Sequence, residues 1–203
     1  EKYSRRTAKM IGDFSQWSEA LVAREIAAGV PTGTALFISS SRPIRDIEGF
    51  ASCRDGIKTF ANRGLAGIDG NISTALGIAS KQKESIAVLG DLSFLHDLTG
   101  LIHNEKINLR IFVIDNNGGG IFSTLTHRGA EGFEKVFGTP HDLDIAAIVS
   151  AFGIPSRTIC NQAELITALS EPVEGLSVAI IKVPSRDSNA ETLAALLKSV
   201  EKI

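Results

Sequence analysis

The sequence predicts an α/β fold: a three-layer α/β/α sandwich, with helices on both faces of a mostly parallel sheet of about six strands. Three observations predict it. The runs 86–89 (Ile86, Ala87, Val88, Leu89) and 111–114 (Ile111, Phe112, Val113, Ile114) hold no polar residue, the composition of strands buried on both faces. Between them Phe94, Leu95, Leu98, Leu101 and Ile102 recur at helical spacing, which predicts one helix. Strand, helix, strand of this kind is a βαβ unit, and apolar runs alternate with amphipathic stretches along most of the remaining chain. Such units place ligands at the carboxyl ends of their strands, so chemistry is expected just after Leu89 and Ile114.

In chain order, residues 1–14 are charged at first, lack sustained periodicity and read as a linker from a preceding domain, with one domain over 15–203. Trp17, Ala20, Leu21, Arg24, Ala27 and Ala28 predict an amphipathic helix that Gly29 and Pro31 stop. Residues 35–38 are a strand opening into Ser39, Ser40, Ser41, Arg42 and Pro43, which read either as an anion site at a helix start or as ordinary capping. A short strand over 58–61 precedes the glycine-rich loop 62–70, and a helix over 71–80 follows directly. After the central unit, the polar stretch 123–140, with Gly129, Gly132 and Gly138, reads as a mobile cover or as a long connection. Leu143, Ala146, Ala147, Ile148 and Val149 suggest a helix, Thr158 and Ile159 a short strand, and Asn161 with Glu164 a capping-box start to a helix through Leu169. Residues 178–183 are a buried strand. Ser188 with Glu191 is expected to cap a last helix whose apolar face is Leu193, Leu196, Leu197 and Val200.

Composition removes several function classes. A net charge of −2 gives no electrostatic reason to expect nucleic acid or an anionic membrane as partner. No apolar run approaches the roughly 18–20 residues of a membrane span. Cys53 and Cys160 form neither a CxxC pair nor a disulfide framework, which favours a reducing, cytoplasmic setting. No secretory signal opens the chain, and its first residue, Glu1, is what a fragment or processed chain would show. His96, His103, His127 and His141 have no zinc-ligand spacing, and neither a GxSxG elbow nor a GxxxxGK[ST] loop is present. His96 and His103 read as surface or packing residues. Asp97 reads as a solvated carboxylate, with support of the site as the other reading.

At the two expected ends stand Asp91 and, 116 − 91 = 25 positions later, Asn116 followed by glycines. Neighbouring parallel strands would hold the carboxylate and the amide side by side. Their oxygens suit a hard cation such as Mg²⁺ while leaving coordination positions for phosphate oxygens. Gly118, Gly119 and Gly120 let the backbone approach closely and expose a carbonyl as a third protein ligand.

The pair Gly90-Asp91 followed by the Asn-rich end resembles the signature of thiamine diphosphate enzymes. Leu92 and Asp115 depart from that general pattern, which commonly has Gly and Asn there. The segments SSSRPIRDIE, NRGLAGIDGNISTALG, VLGDLSFLHDL and DNNGGGIF together are similar to the C-terminal cofactor domain of one branch. That branch is the family of 2-succinyl-5-enolpyruvyl-6-hydroxy-3-cyclohexene-1-carboxylate (SEPHCHC) synthases of menaquinone biosynthesis, in which Leu92 agrees with the pattern. The motifs run over residues 15–159, and beyond them the likeness is topological.

The resemblance implies a thiamine diphosphate-binding fold, with Mg²⁺ (or Mn²⁺) held by Asp91, Asn116 and the carbonyl of Gly118. It implies Gly90, Asp91 and Leu92 at the cofactor, Ile68 as the apolar wedge that bends it, and Ile121 and Phe122 lining the pocket, Phe122 towards substrate. Ser41, Arg45 and Arg63 match residues that contact substrate carboxylates, a task suited to the planar fork of Arg. Asp115 precedes the ligand position and leaves the metal set unchanged. The activity implied is a transferase reaction: decarboxylation of 2-oxoglutarate and addition of the remaining succinyl unit to isochorismate. No catalytic residue of its own is implied for this chain. The activating Glu belongs to an N-terminal pyrimidine-binding domain of the partner subunit, absent here, so a homodimer or dimer of dimers is expected and an isolated domain should not turn over. Two alternatives stay open: another thiamine diphosphate enzyme of acetolactate synthase or 2-oxo acid decarboxylase type, and a non-catalytic phosphate-binding α/β module.

Overall fold

Along the central strands, successive side chains enter two different cores, and this alternation builds the three layers. The computed structural model describes residues 2–103 and 106–201, and side chains within 7–103 and 106–199. Strands β1 (Ala35–Ile38), β2 (Lys58–Ala61), β3 (Ser85–Gly90), β4 (Leu109–Asp115), β5 (Ser156–Ile159) and β6 (Leu176–Lys182) form one parallel sheet in the order β2-β1-β3-β4-β6-β5. On one face Leu36, Ile38, Val88, Phe112 and Ile181 pack with Val22 and Ile26 of α2 (Glu19–Gly29) and Leu165 and Leu169 of α7 (Gln162–Ser170). On the other, Phe37, Leu89, Ile111, Val113 and Ile180 pack with Ile72 and Ala75 of α4 (Asn71–Ala79) and Ile145 and Val149 of α6 (Ile145–Ala151). Each fully buried side chain of this size stabilises the fold by about 1.5–3 kcal/mol.

A buried cation stands near the start of β4. Arg110 of β4 is buried, and its guanidinium donates to the carbonyls of Ala168, Glu171 (3.2 Å) and Pro172 (2.9 Å), satisfying the orphan carbonyls that end α7.

The chain runs from β1 outward to β2, then returns to place β3 on the other side of β1. The strand order therefore reverses between β1 and β3. A crevice opens there at the carboxyl ends of the strands, where open α/β sheets bind their ligands.

Within residues 1–14, read from the sequence as a linker without sustained periodicity, Lys2–Asp13 form helix α1. Its end is held by Arg24 of α2, which donates to the carbonyls of Ile11 (2.7 Å), Gly12 (3.0 Å) and Phe14 (2.6 Å). The helix expected through Ile102 breaks after one turn: α5 covers Asp91–Leu95, and a 3₁₀ turn follows over Leu98–Leu101. Ile102 is accordingly 73% exposed. Asp97, between them, is buried rather than solvated, and its carboxylate accepts from the Ser73 N–H (2.7 Å) and Oγ (3.1 Å) in the first turn of α4. Ser188 does not cap the last helix, α8 (Arg186–Glu201). Its own N–H donates to Ser185 Oγ at 3.3 Å, so Ser185 occupies that role. In α8 Leu196 is buried and Leu197 exposed, while the side chain of Val200 lies outside the described residues.

The helix start expected at Asn161 is present, with the reciprocal bond made one residue before the cap. Asn161 Oδ1 accepts from the Glu164 N–H (3.0 Å), and Glu164 Oε2 reaches back to the Cys160 N–H (2.7 Å).

Candidate functional site

At the strand-order reversal lies a cavity of about 280 Å³. The end of β1 contributes Ser40 to Pro43, the end of β3 Gly90 to Ser93, and the end of β4 Asn116 with Gly118 to Phe122. Ile68 enters from the loop 62–70, its carbonyl fixed by the Ser93 hydroxyl, which donates to it at 3.0 Å. Of the eleven residues singled out from sequence, nine line this one cavity: Ser41, Ile68, Gly90, Asp91, Leu92, Asn116, Gly118, Ile121 and Phe122. Arg45 lies one turn along α3 (Arg42–Phe50), donates to the Ser41 carbonyl at 2.6 Å and lines a neighbouring groove. Arg63 is exposed on the loop 62–70. Ser41 itself has φ +74, a left-handed conformation at the cavity wall that costs a non-glycine residue on the order of 1 kcal/mol or more.

Gly90 of β3 pairs with Ile114 of β4, so Asp91 and the residues after Asp115 leave the sheet side by side. Asp91 Oδ1 accepts from the Leu92 N–H (2.6 Å) and Oδ2 from the Gly118 N–H (2.8 Å). Asn116 is buried, its Nδ2 donates to Glu19, and its Oδ1 has no hydrogen-bond partner. A buried amide oxygen without a partner costs about 1–3 kcal/mol, so its presence beside a carboxylate needs a reason. The Gly118 carbonyl accepts the Gly120 N–H at 2.9 Å and keeps a second lone pair. One carboxylate, one amide oxygen and one carbonyl are a donor set for a hard divalent cation, and the orphaned Asn116 oxygen is the position such an ion would satisfy.

The glycines are required by close approach. Gly118 has φ +134, and a Cβ there would come within 2.2 Å of the Gly138 carbonyl oxygen; a Cβ on Gly119 would come equally close to that of Phe137. Both carbonyls belong to or flank a π-helical turn, Glu134–Gly138. The stretch expected as a cover or a connection thus rests on the glycine run. Phe137 stacks at 5.3 Å from Phe122 and 5.8 Å from the buried Phe133. Arg128 pairs with Asp187 and Glu191, and Arg186 with Glu134, tying the same stretch to α8.

Two residues of the site had no signal in the sequence. His141 Nε2 lies 3.3 Å from Asp91 Oδ2 and 3.9 Å from Asp115 Oδ1, so these three side chains converge on one point. Leu143 N–H donates to His141 Nδ1 at 3.0 Å, which leaves the ring proton on Nε2, facing Asp91. The hydrogen bond to Asp91 raises the histidine above its ordinary 6.5. Asn117, with φ +64, holds this arm in place: its Oδ1 accepts from the N–H groups of His141 (3.0 Å) and Asp142 (2.9 Å). The other oxygen of Asp115, Oδ2, accepts from the Lys182 ammonium.

The second is Glu19, the first residue of α2, whose buried carboxyl is raised above 4.5 chiefly by desolvation. An acidic residue in a first helical turn reads as ordinary dipole compensation, and only the fold brings it to Asn116. Arg42 approaches Glu19 at 3.7 Å and pairs with Asp46, whose carboxyl burial pushes up to about 7.

These features are those of a crevice lined with oxygen donors and glycines at the carboxyl ends of the strands of a doubly wound sheet. The profile of the thiamine pyrophosphate enzymes' C-terminal TPP binding domain matches residues 48–183, and the chain belongs to that family. Within it, the chain is 38% identical over 192 residues to a SEPHCHC synthase of Thermobifida fusca, covering 90% of this chain and 34% of that protein. It is 41% identical over 184 residues to the SEPHCHC synthase of Geobacillus kaustophilus, covering 88% and 31%. The chain thus spans about a third of the length of the curated relatives it matches. In fold it is similar to benzoylformate decarboxylase from Polynucleobacter necessarius, with a TM-score of 0.61 at 21% identity over 80% of this chain and 32% of that one. Among the described residues no helix is long and apolar enough to cross a membrane.

Proposed function

We propose that this chain is the diphosphate-binding domain of a longer SEPHCHC synthase, a cytoplasmic homodimer or dimer of dimers that carries its activating Glu on an N-terminal domain. The observation that carries the reading is the Asn116 oxygen, buried without a partner, on a residue that lines the same cavity as Asp91. Asp91, Asn116 and the Gly118 carbonyl would hold Mg²⁺ or Mn²⁺, and through it the diphosphate. Ile68, Ile121 and Phe122, which line the same cavity, would supply apolar surface to the ring system and keep water from it. When bound, thiamine diphosphate supplies an electron sink for decarboxylation.

The chain's own residues then bind and orient. Arg45 and Arg63 offer cationic forks to the carboxylates of 2-oxoglutarate and isochorismate, and Ser41 a hydroxyl at the cavity wall. The identity of the named relatives supports this pair of substrates over pyruvate. The test is isochorismate-dependent CO₂ release from 2-oxoglutarate by this chain supplied with its N-terminal domain. Arg45→Ala and Arg63→Ala are expected to raise the KM for a carboxylated substrate by tenfold or more, since a charge-assisted hydrogen bond contributes about 1.5–3 kcal/mol. Release from pyruvate but not from 2-oxoglutarate would move the assignment to an acetolactate-synthase type. Robust synthase activity of this chain alone would overturn the incomplete-site reading.

A further inference from the structure

We infer that Glu19 is a positioning residue for the metal ligand Asn116: it anchors the amide nitrogen so that the amide oxygen is presented to the cation. The inference rests on the cofactor reading above and assigns to it a residue 97 positions earlier in the chain.

An asparagine amide offers two donors at one end and an acceptor at the other, and only the acceptor end binds a cation. In this chain Asn116 Nδ2 donates to Glu19 Oε1, across 97 residues of sequence, while Oδ1 is left without a protein partner. Turning the amide over would set two oxygens against each other and aim an N–H₂ at the cation position. Glu19 is itself held in place. Its N–H donates to Asn189 Oδ1 at 2.9 Å, and the Asn189 amide nitrogen donates in turn to the carbonyls of Pro184 (2.7 Å) and Ser185 (3.2 Å). Arg42 stands 3.7 Å from the other carboxylate oxygen. The contact is also confined sterically: a Cβ on Gly120 would lie 2.4 Å from Asn116 Nδ2 and 3.5 Å from Glu19 Oε1. Gly120 therefore leaves the space in which the amide and the carboxylate meet. Partners of metal ligands commonly act this way, fixing orientation without touching the ion.

The probe is Mn²⁺ titrated into the chain at saturating thiamine diphosphate, with bound metal read by electron paramagnetic resonance. Melting of the metal-free proteins is recorded in parallel. Glu19→Ala is expected to weaken Mn²⁺ binding on the order of tenfold to a hundredfold. Glu19→Gln, which keeps an acceptor oxygen, should restore most of it. Gly120→Ala pushes on the same amide, so Glu19→Ala and Gly120→Ala combined should lose no more than the worse of the two. A merely structural Glu19 would lower the melting temperature of Glu19→Ala and leave the Mn²⁺ affinity of the folded protein unchanged, which overturns the inference. Fully additive losses in the double variant overturn it as well. Should Glu19→Ala fail to fold, the comparison of Glu19→Gln with Gly120→Ala decides: unchanged Mn²⁺ affinity in Gly120→Ala counts against it. No Mn²⁺ uptake by the wild-type chain even when its N-terminal domain is supplied would refute the cofactor reading itself, an outcome distinct from uptake that Glu19 does not affect.

Discussion

Replacing Gly118 by Ala tests how the glycine run is built. The backbone there has φ +134, a conformation that costs a residue with a side chain about 1–3 kcal/mol. The added Cβ would lie 2.2 Å from the Gly138 carbonyl oxygen and 3.1 Å from that of Thr139. Both obstacles are backbone, so no rotamer change relieves them, and overpacking of this kind adds about 1–3 kcal/mol. The sum, about 2–6 kcal/mol, is a large part of the roughly 5–15 kcal/mol that holds a domain folded. With a urea slope of about 2 kcal/mol/M, the unfolding midpoint should fall by about 1–3 M. Gly64→Ala is the control, because a Cβ there meets no atom within 4 Å, and it should shift stability by no more than about 0.5 kcal/mol. Any displacement of Gly118 also disturbs the N–H that it donates to Asp91 Oδ2 at 2.8 Å, so cofactor affinity should fall together with stability. Equal midpoints for the two alanine variants would refute the close-approach account.

Three further outcomes are expected. Asp46, raised from 3.8 to about 7 by burial, binds its proton more tightly folded than unfolded; stability should therefore fall as pH rises from about 4 to 7, and Asp46→Asn should flatten that fall in urea titrations. An unchanged slope would show that Arg42 keeps the carboxylate charged. His141, raised above 6.5 by Asp91, should titrate by NMR above that value in the metal-free protein; its contribution to stability is full below 6.5 and lost as pH rises through the folded midpoint, and Asp91→Asn should lower that midpoint. A midpoint indifferent to Asp91→Asn would contradict the contact. Asp97→Ala, which strips the acceptor from the first turn of α4, should cost about 0.5–2 kcal/mol in chemical unfolding, whereas no loss would return Asp97 to the solvent-facing role.

The parts of the fold legible in the sequence were those with local causes. The strands over 86–89 and 111–114 carry their burial in unbroken apolar composition, and Asn161 with Glu164 carries a helix start in four residues. The cavity was legible to the same extent: Asp91, Asn116 and the glycines stand directly at strand ends, where open parallel sheets form their crevices. What stayed hidden depends on partners far along the chain. Helix α1 ends where Arg24 supplies donors to its carbonyls, and the helix after Asp91 breaks where Asp97 turns to Ser73. His141 meets Asp91 across 50 residues, and Glu19 meets Asn116 across 97. No periodicity or spacing encodes such contacts. Glu19 in particular carries the residue type that any helix start favours, so its local pattern is complete without a second role.

The central claim, a metal-dependent diphosphate site at the ends of β3 and β4, is tested most directly by calorimetric titration of thiamine diphosphate into the chain with and without Mg²⁺, repeated on Asp91→Ala and Asn116→Ala. The account predicts heat of binding that requires Mg²⁺ and disappears with either substitution. Binding that ignores both the metal and the two substitutions would contradict it, as would no binding even when the N-terminal domain is supplied.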